Sequence, residues 1–420
     1  ISVLKGQRMA KPKKEAATFT NESEDIDLFS ADLLKTMNRE VGRQVAYNLT
    51  DDDAPTIVNK WIETGSPLLD AVIANGVFDP NGKKIGGLPG GRIIEIFGAF
   101  ASGKSTLAQH IARGAQRSGG IVVYIDTENA TSIHNLQSFG IDINNRFVFV
   151  QPQTIEEVFQ IADIALQKSR NMKSDVPVLI IWDSLAATAT KAEVEGAYDQ
   201  QFMGIQARAI SQGLKKINNQ ITTSRATFLV LNQMRQKIGV MFGDPWTTSG
   251  GAALPYYASL RLKLSSTMIK DGEKIVGTEI SVKTVKNKVG RPFREVDIQL
   301  LFGKGVRDSK PALKQFSEYC KLNGGKIMLK DKFVTVETGA WNKFNIFDKK
   351  TGEQLEDFSF RKADFASEIY YNPKYKDLIR EIIHAVTWID PKMSEEDKLI
   401  NDPTYNKTAE DLIEETVPQD

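Results

Sequence analysis

The apolar run Arg92-Ile93-Ile94-Glu95-Ile96-Phe97 leads straight into Gly98-Ala99-Phe100-Ala101-Ser102-Gly103-Lys104-Ser105, which fits GxxxxGK[ST] and is followed by a helical segment. A strand must end where this loop starts and a helix must begin where it stops, so the motif fixes a strand–loop–helix unit. The loop glycines let successive backbone N–H groups curl around phosphates. Lys104 reaches the outer phosphates and Ser105 can ligate Mg2+. Residues Gly98 to Thr106 are therefore read as the nucleotide-binding segment, with ATP and Mg2+ as the cofactors expected there.

Further apolar runs recur at Ile121–Ile125, Val178–Trp182 and Thr227–Leu231, alternating with helical stretches. This alternation predicts an α/β core with a mainly parallel sheet covered by helices on both faces. Asp183 stands at the end of one such strand, where a P-loop ATPase places the carboxylate that holds the magnesium shell, so Ser105 and Asp183 are the expected metal residues. Glu128 lies just past the strand ending at Ile125, at the same sheet edge, where it could orient a water for in-line attack on the γ-phosphate. Asp126 competes for that role, and spacing does not separate the two.

With 420 residues and 25% charged side chains the chain has material for two or three units and a solvated surface. No apolar run approaches the ~20 residues of a membrane helix, and no secretory signal is visible, so a cytoplasmic address is expected. Cys320 is the single cysteine and His110, His134 and His384 lack ligand spacing, which excludes internal disulfides and argues against a transition metal. Nine acids against Lys398 and Lys407 give Ser394 to Asp420 a charge of −7, so the formal net charge of +1 leaves +8 on the rest. Such a charge split suits a nucleic-acid-binding protein whose tail competes with phosphates for a basic surface, and suits equally a tail that only solubilises the chain.

Residues 1–20 are polar and expected to be disordered, and a helical stripe from about Asp25 to Leu49 carries Leu28, Leu33, Leu34, Met37, Val41 and Val45. The expected organisation is 21–57 as a helix and linker for subunit docking, with packing of that helix on its own core as the alternative, 58–308 as the ATPase core, 309–393 as a small α+β C-terminal domain and 394–420 as the acidic tail.

Thr64-Gly65-Ser66, the segment from Gly86 to Arg92, Asp183-Ser184-Leu185-Ala186-Ala187, Lys191 to Gly196, Asn232 to Gly243, Thr247 to Gly251 and Val285-Lys286-Asn287-Lys288 resemble, in order, the segments of the RecA family. The resemblance covers about Trp61 to Gly305. It implies a RecA-like P-loop ATPase core and an ATP-dependent DNA recombinase. Such a protein forms a helical filament of its own copies on single-stranded DNA, engages duplex DNA during strand exchange and hydrolyses ATP when DNA is bound. It implies Glu128 as the catalytic carboxylate and Gln233 as the sensor of the γ-phosphate. Lys286 and Lys288 would act on ATP held by an adjacent subunit. Two DNA-facing loops are implied, Glu193 to Met203 and Arg235 to Ser249. Arg208, Ser211, Arg235, Gly250 and Gly251 would hold phosphates, and Met203 and Ile238 would wedge between stretched bases. Single-strand-binding or mediator proteins are further candidate partners, and the location is the cytoplasm at the nucleoid, or a host's cytoplasm if the chain is phage-encoded.

Departures accompany the resemblance. Asn135 stands where the family stacks a tyrosine on adenine, Phe100 and Trp246 replace glutamates, Pro255 replaces an interface lysine, and Phe78 to Ile85 is an insertion. A ring-shaped helicase motor and a recombination mediator that hydrolyses little ATP are the rival readings.

Overall fold

The computed structural model describes residues 21–49, 54, 56–74, 86–172, 174, 176–197, 200, 202, 204–236 and 246–388. The chain divides into two compact units, Ile1–Ile57 and Val58–Asp420. The expected disorder of 1–20 and the acidic tail from Ser394 lie outside the described residues.

The first unit carries helix α1 (Asn21–Val41). It stops short of the Leu49 predicted from periodicity because Gly42 turns into the left-handed region at φ +69° and its N–H donates to the Arg39 carbonyl at 3.1 Å. Asn38 then holds the departing chain: its Oδ1 accepts from the N–H groups of Val45 and Ala46 at 2.7 and 2.8 Å. Leu28, Leu33, Met37 and Val41 along the helix are exposed.

In the second unit the ribbon β1 (Trp61–Ile62) and β2 (Leu88–Pro89) brackets helix α2 (Pro67–Ala74). The P-loop unit follows as β3 (Ile93–Gly98) and α3 (Lys104–Arg117), then β4 (Ile121–Asp126), α4 (Ile133–Ser138), β5 (Phe147–Val150), α5 (Ile155–Arg170) and β6 (Val178–Asp183). After α6 (Lys191–Glu195) come α7 (Ile205–Ser224), β7 (Thr227–Gln236), β8 (Trp246–Thr248), α8 (Ala253–Tyr257), β9 (Leu260–Asp271), β10 (Lys274–Asn287), β11 (Glu295–Leu301) and β12 (Gly305–Arg307).

The strands lie in the order β5-β4-β6-β7-β3-β9-β10-β11-β12. The six from β5 to β9 are parallel and the last three are added antiparallel, while β8 pairs with the end of β7. Every residue of β3 and β6 is buried, as strands covered on both faces require. Alternate residues sort onto two sides. Ile94, Ile96, Val122, Ile181 and Leu229 face α2 and α3, whereas Ile93, Val123, Ile125, Ile180, Trp182 and Phe228 face α5 and α7. α5 starts on a capping box in which Thr154 Oγ1 accepts from Glu157 N–H and Glu157 returns a bond to the Thr154 amide.

The C-terminal part consists of α9 (Ser309–Leu322), the antiparallel sheet β13 (Ile327–Met328), β14 (Lys332–Glu337), β15 (Trp341–Asp348) and β16 (Gln354–Arg361), and α10 (Lys376–Trp388). Its apolar residues join the cluster on the α3 side of the large sheet, so one core runs from Ile62 to Val386. Asp308 pins the junction. Its carboxylate accepts from Ser66 Oγ at 2.6 Å and from the Tyr371 hydroxyl at 3.1 Å. Among the described residues no helix is long and apolar enough to cross a membrane.

Candidate active site

Parallel strands bring their carboxyl ends to one edge, and the polar residues gather there. Gly98 ends β3 in contact with β9, where an added Cβ would lie 2.5 Å from the Leu264 carbonyl oxygen. Gly103, at φ +85°, closes the loop before α3, and a Cβ there would lie 2.4 Å from Ile280 Cδ1. No side chain caps the first turn of α3, which leaves its N–H groups directed at the loop, the arrangement that receives a phosphate. Lys104 Nζ donates to the Ala99 carbonyl at 2.8 Å. Burial lowers the pKa of this ammonium, against the opposing pull of Glu128 and Asp183.

At the end of β6, burial raises the Asp183 carboxyl to about 6, while hydrogen bonds from Tyr124 and Ser105 oppose the rise and nearby Glu128 and Asp126 add to it. The Tyr124 hydroxyl reaches Oδ2 at 2.8 Å. Both oxygens of Asp126 are occupied by backbone: Oδ1 accepts from Glu128 N–H and Oδ2 from Thr131 N–H, each at 3.0 Å. Asp126 therefore shapes the turn after β4. The Glu128 carboxylate instead accepts from the Ser184 hydroxyl and from Gln233 Nε2 at 3.4 Å. Lys104, Ser105, Asp183, Glu128 and Gln233 thus converge from four segments of the chain.

Beyond Gln233, β7 continues to Arg235 and Gln236, which pair with Thr247 and Trp246 of β8. Arg235 is exposed. Gly250 and Gly251 follow at φ +86° and +76°, and added Cβ atoms would lie 2.6 Å from Ile210 Cδ1 and 2.9 Å from Ala207 Cβ. This turn thus lies against the part of α7 that carries Arg208, exposed, and Ser211, one turn further on. Met203 and Ile238 lie outside the described residues.

Lys286 and Lys288 sit elsewhere. Lys286 pairs with Arg261, which is level with Glu95, and its Nζ donates to the carbonyls of Pro255 and Tyr256, both at 2.8 Å. Lys288 N–H bonds Ser259, whose own N–H bonds Ile93. By strand rise these positions lie about 10 and about 16 Å down the sheet from Gly98, away from the phosphate loop of their own chain. Tyr256 is 73% exposed and Phe100, at the tip of the loop, 89%.

Three polar residues in this network were not singled out from sequence: Tyr124, Ser184 in its bond to Glu128, and Glu95. A hydroxyl-bearing residue inside the otherwise aliphatic strand Ile121–Ile125 is the signal that would have found the first.

A phosphate-binding loop, a strand-end carboxylate and a second acid at the carboxyl edge of a parallel sheet define a P-loop nucleoside triphosphatase. The chain matches the RecA N-terminal domain family over residues 30–307. It is 35% identical over 340 residues to Protein RecA of Symbiobacterium thermophilum, covering 80% of this chain and 88% of that one. To Protein RecA of Haemophilus ducreyi it is 33% identical over 406 residues, 96% and 98% of the two chains, and to that of Bacteroides thetaiotaomicron 36% over 332 residues, 79% and 90%. The chain belongs to the RecA family, and its function is that of an ATP-dependent DNA recombinase, an enzyme whose ATPase depends on DNA.

Proposed function

We infer that ATP with Mg2+ is held at the contact between successive protomers of a filament on single-stranded DNA, and that strand binding and hydrolysis are coupled through Gln233. The observation that carries this reading is the position of Gln233. Its side chain lies 3.4 Å from Glu128, and its strand runs on within two residues to the exposed Arg235. A phosphate that orders one end of so short a segment orders the other.

In this reading Lys104 and the N–H groups from Gly98 to Thr106 bind the triphosphate. Glu128, held by the Ser184 hydroxyl, orients a water in line with the γ-phosphorus and takes its proton. Among the described residues no group of three His, Cys, Asp or Glu could hold a metal. Ser105 and Asp183 supply one hydroxyl and one carboxylate, which suits Mg2+, an ion that keeps waters and phosphate oxygens as its other ligands. Bound there, it would neutralise charge on the phosphates.

The placement of Lys286 and Lys288 away from their own phosphate loop supports a role on a neighbour's ATP, as transition-state cations. The exposed apolar residues of α1 support its docking on a second copy. Arg208, Ser211, Arg235, Gly250 and Gly251 form the described part of the DNA surface, to which Met203 and Ile238 would add wedges, with 394–420 as a competing acidic tail and the nucleoid as the location. Duplex DNA is the second substrate, and single-strand-binding or mediator proteins are the accessory partners.

The test is microscopy of Glu128→Gln with single-stranded DNA and ATP. The variant is expected to bind ATP, form stable helical filaments and lose turnover by about a hundredfold or more. Closed hexamers would favour a ring motor, and unchanged turnover would remove Glu128 from its role.

A further inference from the structure

Glu95 lies in mid-strand on β3 with no exposed surface, in register with Val230 on β7 and Arg261 on β9. No step of the hydrolysis uses it. Arg261 Nε donates to its Oε2 at 2.5 Å, and the same guanidinium lies 4.7 Å from the centre of the Phe97 ring. Oε1 accepts from Asn232 Nδ2 at 2.9 Å. That nitrogen also donates to the Ser249 carbonyl at 3.0 Å, and Asn232 Oδ1 accepts from the Gln233 N–H at 2.9 Å.

An ionised carboxylate only accepts, so it dictates which end of the Asn232 amide faces it. With nitrogen turned to Glu95, the amide oxygen is left for Gln233 and the second N–H for Ser249. Rotating the amide by half a turn would lose both bonds. Those two bonds tie the residue proposed to sense phosphate to the residue that directly precedes Gly250 and Gly251. Stability alone does not call for such a device, because well-packed apolar residues commonly replace a buried ion pair without loss.

We propose that Glu95 is a positioning residue for the coupling of nucleotide to DNA: clamped by Arg261, it sets the Asn232 amide that locks Gln233 to Ser249. The proposal rests on the reading of Gln233 given above. A glutamine at 95 keeps the shape and loses the polarity, since its own NH2 can draw the Asn232 oxygen towards it.

The experiment measures the affinity of the full chain for a fluorescent oligo(dT), by anisotropy, with a slowly hydrolysed ATP analogue and with ADP. The ratio of the two affinities is compared for wild type, Glu95→Gln, the double variant Glu95→Met with Arg261→Met, and Gln233→Ala. Both Glu95 variants are expected to bind fluorescent nucleotide within about threefold of wild type while the ratio falls by about tenfold, within the usual range of coupling between sites. Should Arg261, left unpaired, unfold Glu95→Gln, the double variant decides. A double variant that melts like wild type and keeps the wild-type ratio overturns the proposal, and so does one that fails to fold, because the pair would then serve the fold. If Gln233→Ala also keeps the ratio, the reading of Gln233 fails. If it loses the ratio while the Glu95 variants keep it, only the role of Glu95 does.

Discussion

The Tyr124 hydroxyl donates a 2.8 Å hydrogen bond to Oδ2 of Asp183, joining adjacent strands at the edge where the nucleotide site lies. Burial and the Asp183 charge both push the phenol's pKa well up, so it remains a donor throughout the working pH range. A hydrogen bond to a charged group contributes about 1.5–3 kcal/mol. Tyr124→Phe is therefore expected to leave the fold intact, since the ring still fills its place, and to raise the Mg2+ concentration for half-maximal turnover by about tenfold. A magnesium titration of ATP turnover checks this, and an unchanged midpoint would show that the hydroxyl does not position Asp183.

Gly114 sits inside α3, where alanine would ordinarily gain about 1 kcal/mol. Here an added Cβ would lie 2.0 Å from the Glu63 carbonyl oxygen, a backbone atom that cannot swing away. Gly114→Ala should therefore destabilise, by about 2 kcal/mol, as overpacking does. Thermal melting reads the sign directly, and a raised midpoint would mean that the β1 segment can move off the helix.

His110 is 4% exposed, and its Nε2 accepts the Val306 N–H at 3.1 Å. Burial lowers its pKa from 6.5 to about 4, with Arg113 and Arg307 adding to the effect. The folded protein keeps the ring neutral down to about pH 4, whereas the unfolded chain takes up a proton near 6.5. Stability is therefore complete above pH 6.5 and falls as the pH drops towards 4, by roughly 3 kcal/mol across that window. His110→Gln retains an acceptor without the titration, so melting temperatures at pH 5 and pH 7 should differ less in the variant than in the wild type. Equal differences would assign the acid sensitivity to other groups.

Lys286 and Lys288 lie down the sheet from Gly98, so each complete site should draw on two chains. Lys104→Ala and Lys286→Ala are each expected to hydrolyse little ATP alone. Mixed on one DNA strand, they should recover turnover, because some contacts then pair an intact phosphate loop with an intact lysine. No recovery on mixing would confine both lysines to one chain's site.

The parts of this molecule carried by contiguous residues were legible in the sequence. The strand, loop and helix around Lys104 form one local unit, and Asp183 ends a strand whose buried character shows as an unbroken apolar run. What depended on long-range register was not legible. Glu95 meets Arg261 and Asn232 across separations of 166 and 137 residues, and nothing local distinguishes a glutamate in mid-strand from a solvated one. Spacing alone does not separate Asp126 from Glu128, and the two backbone N–H groups that occupy the Asp126 oxygens leave no trace in it. The apolar periodicity outlasts Gly42, which ends α1, and the side-chain bonds of Asn38 that secure the exit carry no periodic signal.

The coupling of nucleotide to DNA is tested most directly by steady-state ATP turnover across a titration of unstructured single-stranded DNA. Turnover should be low without DNA, rise as strand is added, and saturate when the strand is coated by filament. Equal turnover with and without the strand, and no polymer along it, would contradict the account.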